Sequence, residues 1–171
     1  MLGNLSFDAF LHDWMVVTLK KPVLKGHAMY AEFKRFAADS PSSRMERVRN
    51  LLENMLEYAK YYAAIKGVVA AGGGDMNVDQ RLDLIQKLDS TVTDPLVMYM
   101  FAIWRHHRIS NDGLLRMLAD LESYLFRRMV CSVSSNGLNK LVPSLIVRLD
   151  SAEDDLAETF AALLITETAK A

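Results

Sequence analysis

The sequence predicts an all-α protein, an irregular bundle of about seven or eight helices around a buried central helical hairpin. Three observations carry that expectation. Apolar residues recur at spacings of three and four along almost every segment, the repeat of a helix face and not of a strand. The breaks between segments hold helix-start residues, as in Asp39-Ser40-Pro41 and Thr93-Asp94-Pro95. The uninterrupted apolar run Leu96–Trp104 is poor in β-branched residues and follows a cap signal, which favours a buried helix over a buried strand.

The first helix is expected from Ser6 to Leu19, with Phe7, Phe10, Leu11, Trp14 and Val17 facing inward and Asp8 at the positive end of the dipole. Lys20-Lys21-Pro22 closes it, and a basic connector through Lys25 and His27 reads as a solvated loop. Tyr30, Phe33, Phe36 and Ala37 make a short second helix. A third runs from Pro41 to Val68 along the seam Met45, Val48, Leu52, Met55, Ala59 and Tyr62, with Arg47, Glu53, Glu57 and Lys60 on the opposite side. Tyr58, Tyr61 and Tyr62 read as bundle tyrosines with a wet hydroxyl rather than as a base-stacking platform.

Gly72-Gly73-Gly74 lacks the Gly-Lys-Ser/Thr of a phosphate loop and reads as a connection, with Asp75–Asn77 capping the next helix. Val78, Leu82, Ile85 and Leu88 give that helix its stripe, and Asp89-Ser90-Thr91 breaks it. The buried run then ends in Arg105-His106-His107-Arg108, suited to the negative end of a helix.

The stretch Asn111–Leu149 is the expected centre. Leu114, Leu118, Leu121, Leu125 and Met129 form one stripe, which Leu115, Met117, Tyr124, Phe126 and Val130 widen over most of the surface. A turn at Ser132–Gly137 leads into Leu138, Leu141, Val142, Leu145, Ile146 and Leu149 on one face. Pro143 either kinks this second helix or lies in the first turn of a new one, and both readings fit. Ser151-Ala-Glu-Asp154 resembles a capping box ahead of a last helix with Leu156, Phe160, Leu163 and Leu164 inward, fading at Thr166–Ala171.

A chain of 171 residues, 51% hydrophobic, suits one domain with a real core. The formal net charge of −1 removes bulk steering toward phosphate. The lone Cys131 in an apolar setting reads as a buried thiol in a reducing compartment. No apolar run approaches the roughly 18 residues of a membrane span, and no secretory leader is visible, so a soluble cytoplasmic domain is expected.

Catalytic motifs are missing: there is no Gly-x-Ser-x-Gly, Cys-x-x-Cys, His-Glu-x-x-His or nucleotide-binding glycine fingerprint. Arg127-Arg128 is the leading candidate, because a guanidinium fork fits carboxylate, carbonyl or phosphate. Its structural reading ties the helix end to Glu122, Asp120 or a neighbouring acidic cap; its functional reading faces a DNA backbone or a partner domain. Arg105, His106, His107 and Arg108 are weaker candidates, since adjacent imidazoles diverge and no metal site is expected of them.

Two patches carry a family resemblance. The run "LESYLFRRMVCSVSSNGLNKLVPSLI" resembles the helical segment of the GmrSD-type, type IV modification-dependent restriction endonucleases. There an acidic, aromatic helix ends in a double arginine, followed by a small polar turn, Leu-Asn and an apolar helix. Glu122, Tyr124, Arg127, Arg128, Leu138 and Asn139 are the matching residues here. The earlier patch "FDAFLHDWMVV…KKPVLKGHAMYAEFKRF" is similar to the family's "FL" helix, basic connector and "Y…FK" helix.

In that family a nucleotide-binding half of ParB-like fold precedes the helical region and an HNH-type nuclease domain follows, in the same or a partner chain. Nucleotide hydrolysis licenses cleavage of modified foreign DNA. The resemblance covers only the helical region, so no catalytic residue carries over. It implies a single helical domain, a fragment of a longer multidomain protein, acting as a non-catalytic scaffold and relay. Nucleotide triphosphate and divalent metal are implied only for the neighbouring domains. Those domains are the implied partners, and the DNA backbone is a further one through Arg127, Arg128, Asn139 and Lys140. No membrane is involved, and a homo-oligomer is compatible. The alternative is a free-standing helical protein–protein interaction module, and a third reading is a small metal enzyme using His106, His107 and a carboxylate.

Overall fold

Helical spacing in the sequence is matched by helices in space. The computed structural model describes residues 5–38, 44–70, 76–88 and 91–168. They form α1 (Phe7–Leu19), α2 (His27–Ala38), α3 (Arg44–Ile65), α4 (Met76–Lys87), α5 (Asp94–Arg105), α6 (Asn111–Val130), α7 (Leu138–Asp150) and α8 (Leu156–Thr168). Short 3₁₀ turns at Thr91–Thr93 and Ser135–Gly137 lead into α5 and α7, and no strand occurs among the described residues. The chain is an all-α multi-helix bundle. Among the described residues no helix is long and apolar enough to cross a membrane. The expected breaks at Asp39-Ser40-Pro41, Gly72–Asp75 and Asp89-Ser90, and the tail at 169–171, lie outside the described residues.

The core gathers around α5. Every residue from Leu96 to Ile103 is buried, because α1, α3, α6 and α7 pack around the helix and leave it no solvent side. The two helices expected at the centre, α6 and α7, are buried along Leu114, Leu118, Leu121 and Leu125 and along Leu138, Val142, Leu145, Ile146 and Leu149, but Met129 of the expected α6 stripe, with Phe126 and Val130, is exposed. Each packs chiefly on third parties: α6 on α4, α5 and α8, and α7 on α5, α8 and α1. A helix as broadly apolar as α6 needs more than one neighbour, and the fold supplies them from both sides.

Local chemistry sets most boundaries. Ser6 Oγ accepts from the Ala9 N–H at 3.4 Å, and Lys20 closes α1 in the left-handed region, its N–H on the Val16 carbonyl at 2.9 Å. Gly26, at φ +72, lets α2 begin at His27, inside the stretch read as a loop. At the far end of α3, Gly67 at φ +68 lets the Val68 N–H reach the Ala63 carbonyl at 2.9 Å. That closure stops α3 at Ile65, short of Val68. Pro143 lies inside α7, where it deprives the Asn139 carbonyl of its usual helical donor.

Several inward faces differ from expectation. Phe7 is exposed, its ring leaning on Phe10 at 6.3 Å while its far side stays open. On α3 the covered stripe is Leu51, Met55, Tyr58, Tyr62 and Ile65, whereas Met45, Val48 and Leu52 of the expected seam face outward. Both stripes have helical spacing, so periodicity could not choose between neighbours on one cylinder. Cys131 is exposed rather than buried, because it follows the last residue of α6 and belongs to the turn.

The cap of α8 is Asp155, whose Oδ1 accepts from the N–H groups of Ala157 and Glu158 at 2.8 and 3.2 Å. Those bonds hold the Asp155 carboxyl below the usual range. Ser151 belongs to the end of α7 instead, its hydroxyl donating to the carbonyls of Val147 and Arg148, each at 3.1 Å. The inward face of α8 is as expected, with Phe160 and Leu164 buried.

Phe160→Ala should therefore cost about 3–5 kcal/mol in urea unfolding, while Phe7→Ala should stay within about 0.5 kcal/mol. Equal losses from the two would contradict this account of the core.

Candidate functional site

A helix that ends in two arginines must send them somewhere, and the tip of α6 sends them apart. Successive helical positions diverge by about 100°. Arg127 points outward, its guanidinium reaching back to Ser123 Oγ at 3.2 Å. Arg128 turns into the crook of the following turn. It donates to the Tyr124 hydroxyl at 3.2 Å and to the Ser134 carbonyl at 2.5 Å, with its guanidinium carbon 5.5 Å from the centre of the Tyr124 ring. Ser132 at φ +53 closes the helix, and the Val133 N–H meets the Arg128 carbonyl at 2.9 Å.

Of the expected acidic partners of this pair, Glu122 is taken by another cation, while the charge of Asp120 still interacts with Arg127. Glu122 is held by Arg81 of α4 at 2.6 Å, and burial pushes the Asp120 carboxyl up despite nearby Arg116 and Arg127. Arg128 takes a carbonyl and a phenol because the turn brings them within reach of its fork. Lys140 is exposed at the start of α7, while Asn139 lies at the edge of a cavity beside Val142 and Pro143. The four leading candidates thus do not converge on one point. Phe126, Met129 and Val130 lie more than half exposed beside Arg127, and Val133 continues that apolar surface across the turn.

The basic segment after α5 is likewise dispersed. Arg105 stacks on Trp104 with its guanidinium carbon 4.5 Å from the ring centre. His106 Nε2 lies 2.9 Å from Glu57 Oε1, which also accepts from the Tyr61 hydroxyl at 2.6 Å. Desolvation and that carboxylate together raise the Tyr61 pKa strongly. His107 sits at φ +57, and the Arg108 N–H returns to the Ile103 carbonyl at 2.8 Å, ending the helix. The Arg108 side chain lies 3.6 Å from Asp150, which also holds Lys20. Asp150 therefore joins the ends of α1, α5 and α7.

Sequence reasoning missed the main concentration of buried charge. A cavity of about 690 Å³ opens between α1, the α1–α2 connector, α5 and α7. His12 Nδ1 lies 2.8 Å from Asp13 Oδ1 and its Nε2 3.2 Å from the Val23 carbonyl, so each ring nitrogen faces an acceptor. Across the cavity Lys66 pairs with Asp94 and lies 5.3 Å from the centre of the Tyr62 ring.

Burial raises the Asp13 carboxyl, outweighing the His12 hydrogen bond. Burial also pushes Asp94 up to about 6, outweighing Lys66, with the nearby Asp13 adding to the rise. The network ties α1, the end of α3 and the start of α5 together around a carboxyl, Asp94, that is raised to about 6. The residues involved are scattered along the chain, where Asp94 reads as a helix-start residue and His12, like His27, as too isolated to complete a site. No group of three or more His, Cys, Asp or Glu side chains able to hold a metal occurs among the described residues. Compared with protein-family models, curated proteins and solved structures, the chain matches none.

Arg128→Ala should cost on the order of 1–3 kcal/mol by removing its bonds to Ser134 and Tyr124, with Arg128→Lys restoring only part. Arg127→Ala should stay within about 0.5 kcal/mol by urea unfolding, and equal effects would refute the division of labour. Asp94 binds its proton more tightly folded than unfolded, so its contribution is full below about pH 4 and lost as pH rises through about 6. Relative to Asp94→Asn, the parent should lose on the order of 2 kcal/mol between about pH 4.5 and about pH 7. A difference that stays flat with pH would remove Asp94 from that role.

Proposed function

We propose that this chain is the helical scaffold and relay domain of a nucleotide-dependent restriction protein that targets modified DNA. In this reading the chain performs no chemistry itself. Nucleotide triphosphate and divalent metal belong to adjoining nucleotide-binding and nuclease domains, in a cytoplasmic phage-defence enzyme. The observation that carries the proposal is the end of α6. Among the residues that resemble the restriction family, Arg127 and Arg128 stand at the end of α6, with Arg128 fastening the turn and Phe126, Met129 and Val130 exposed beside Arg127. An apolar surface next to a cation on a pre-formed turn is suited to an adjoining domain, and Arg127 and Lys140 can also meet a phosphate backbone.

A free-standing interaction module is the second reading, favoured by the additional exposed apolar side chains of α3. The native reading frame and its neighbours separate the two. The relay reading expects a ParB-like nucleotide-binding half and an HNH nuclease domain in the same or an adjacent frame. Within that protein, Phe126→Asp with Val130→Asp should lower nucleotide-stimulated cleavage of modified DNA by about tenfold or more, with helical content unchanged. Cleavage at the parental rate, or a native frame with neither domain beside it, would rule the relay out.

A further inference from the structure

Helix α3 carries two apolar stripes, and the bundle covers only one. Leu51, Met55, Tyr58, Tyr62 and Ile65 turn inward. On the adjacent stripe Met45, Val48, Leu52 and Leu56 are 74%, 46%, 59% and 62% exposed. Their steps of three, four and four residues keep them on one line over about 16 Å of helix. Side chains of this size leave on the order of 400 Å² of contiguous apolar surface, the scale at which a patch marks an interface.

The flanking charges say what fits it. Arg49 and Glu53, both exposed, border the stripe on the side away from the core, one helical turn apart. A second α3 laid parallel and in register would set Arg49 against Arg49 and Glu53 against Glu53. Laid antiparallel, with a two-fold axis near residue 51, it sets Arg49 beside the Glu53 of the second copy and Glu53 beside its Arg49. In that register Met45 lies within about 1.5 Å of the level of Leu56 along the helix and Val48 within about 3 Å of the level of Leu52. A two-fold interface uses one patch twice, and this patch is complementary to itself in both shape of pattern and sign of charge.

We propose that the exposed stripe of α3 is a homodimer interface, closed by an antiparallel α3–α3 pairing of two copies of this chain. The area buried is on the order of 800 Å² in total, below the usual range for stable complexes, so the dimer is weak. This face is separate from the tip of α6, and the proposal does not depend on the relay reading.

The test is sedimentation equilibrium of the 171-residue chain from about 2 to about 200 μM, at low and high salt. A monomer–dimer equilibrium with Kd on the order of 10–100 μM is expected, weakened by salt. Leu52→Asp should abolish the dimer with helical content intact. Arg49→Glu or Glu53→Arg alone should weaken it by about tenfold, and the two together should restore it to within about threefold of the parent. A chain that stays monomeric throughout, a dimer indifferent to Leu52→Asp, or a double variant no better than the singles would each overturn the proposal.

Discussion

The rest of the molecule depends on burying α5 from every side. A helix satisfies its own backbone hydrogen bonds, so it can be taken fully out of water provided its side chains are apolar. From Leu96 to Ile103 they are, apart from the Tyr99 hydroxyl, which finds Asp150 at 3.4 Å. Each such side chain contributes roughly 1.5–3 kcal/mol when fully buried, before the entropy of ordering is set against it. No single neighbour can cover a cylinder. α1, α3, α6 and α7 are needed together, and their positions follow from that requirement.

Charge is then confined to the ends of α5. At its start Asp94 meets Lys66, and beyond its end His106 meets Glu57 while Arg108 meets Asp150. The two ends differ in kind. Around Asp94 the groups are largely buried, so desolvation dominates and the carboxyl is raised to about 6. Around Asp150 the charges remain more than a third exposed, and such pairs orient helix ends more than they stabilise them. The buried cluster at the start of α5 thus holds a carboxyl whose charge changes near pH 6, well above the usual carboxylate range.

What the core does not use is equally informative. The tip of α6 and the outer stripe of α3 leave large apolar side chains in water beside exposed charged residues. These surfaces are separate, one formed by a fastened turn and the other by a straight helix.

The sequence by itself determined that the chain is helical, that α1 closes at Lys20, that α5 opens at Thr93-Asp94-Pro95, and that Leu96–Trp104 is a helix of the core. Those properties are local: spacing of apolar residues, capping side chains, proline and glycine act within a few residues of themselves. It also marked Arg127-Arg128, because charge at a helix end is legible without knowing what lies opposite. Tertiary structure alone decided which of two apolar stripes on α3 is covered, that Phe7 and Cys131 face solvent, and that Arg128 fastens a turn. It alone brought His12, Asp13, Lys66 and Asp94 around one cavity. The reason is physical: a helix face is chosen, and a buried charge is paired, by what other helices set against it, and one-dimensional periodicity carries no record of those neighbours.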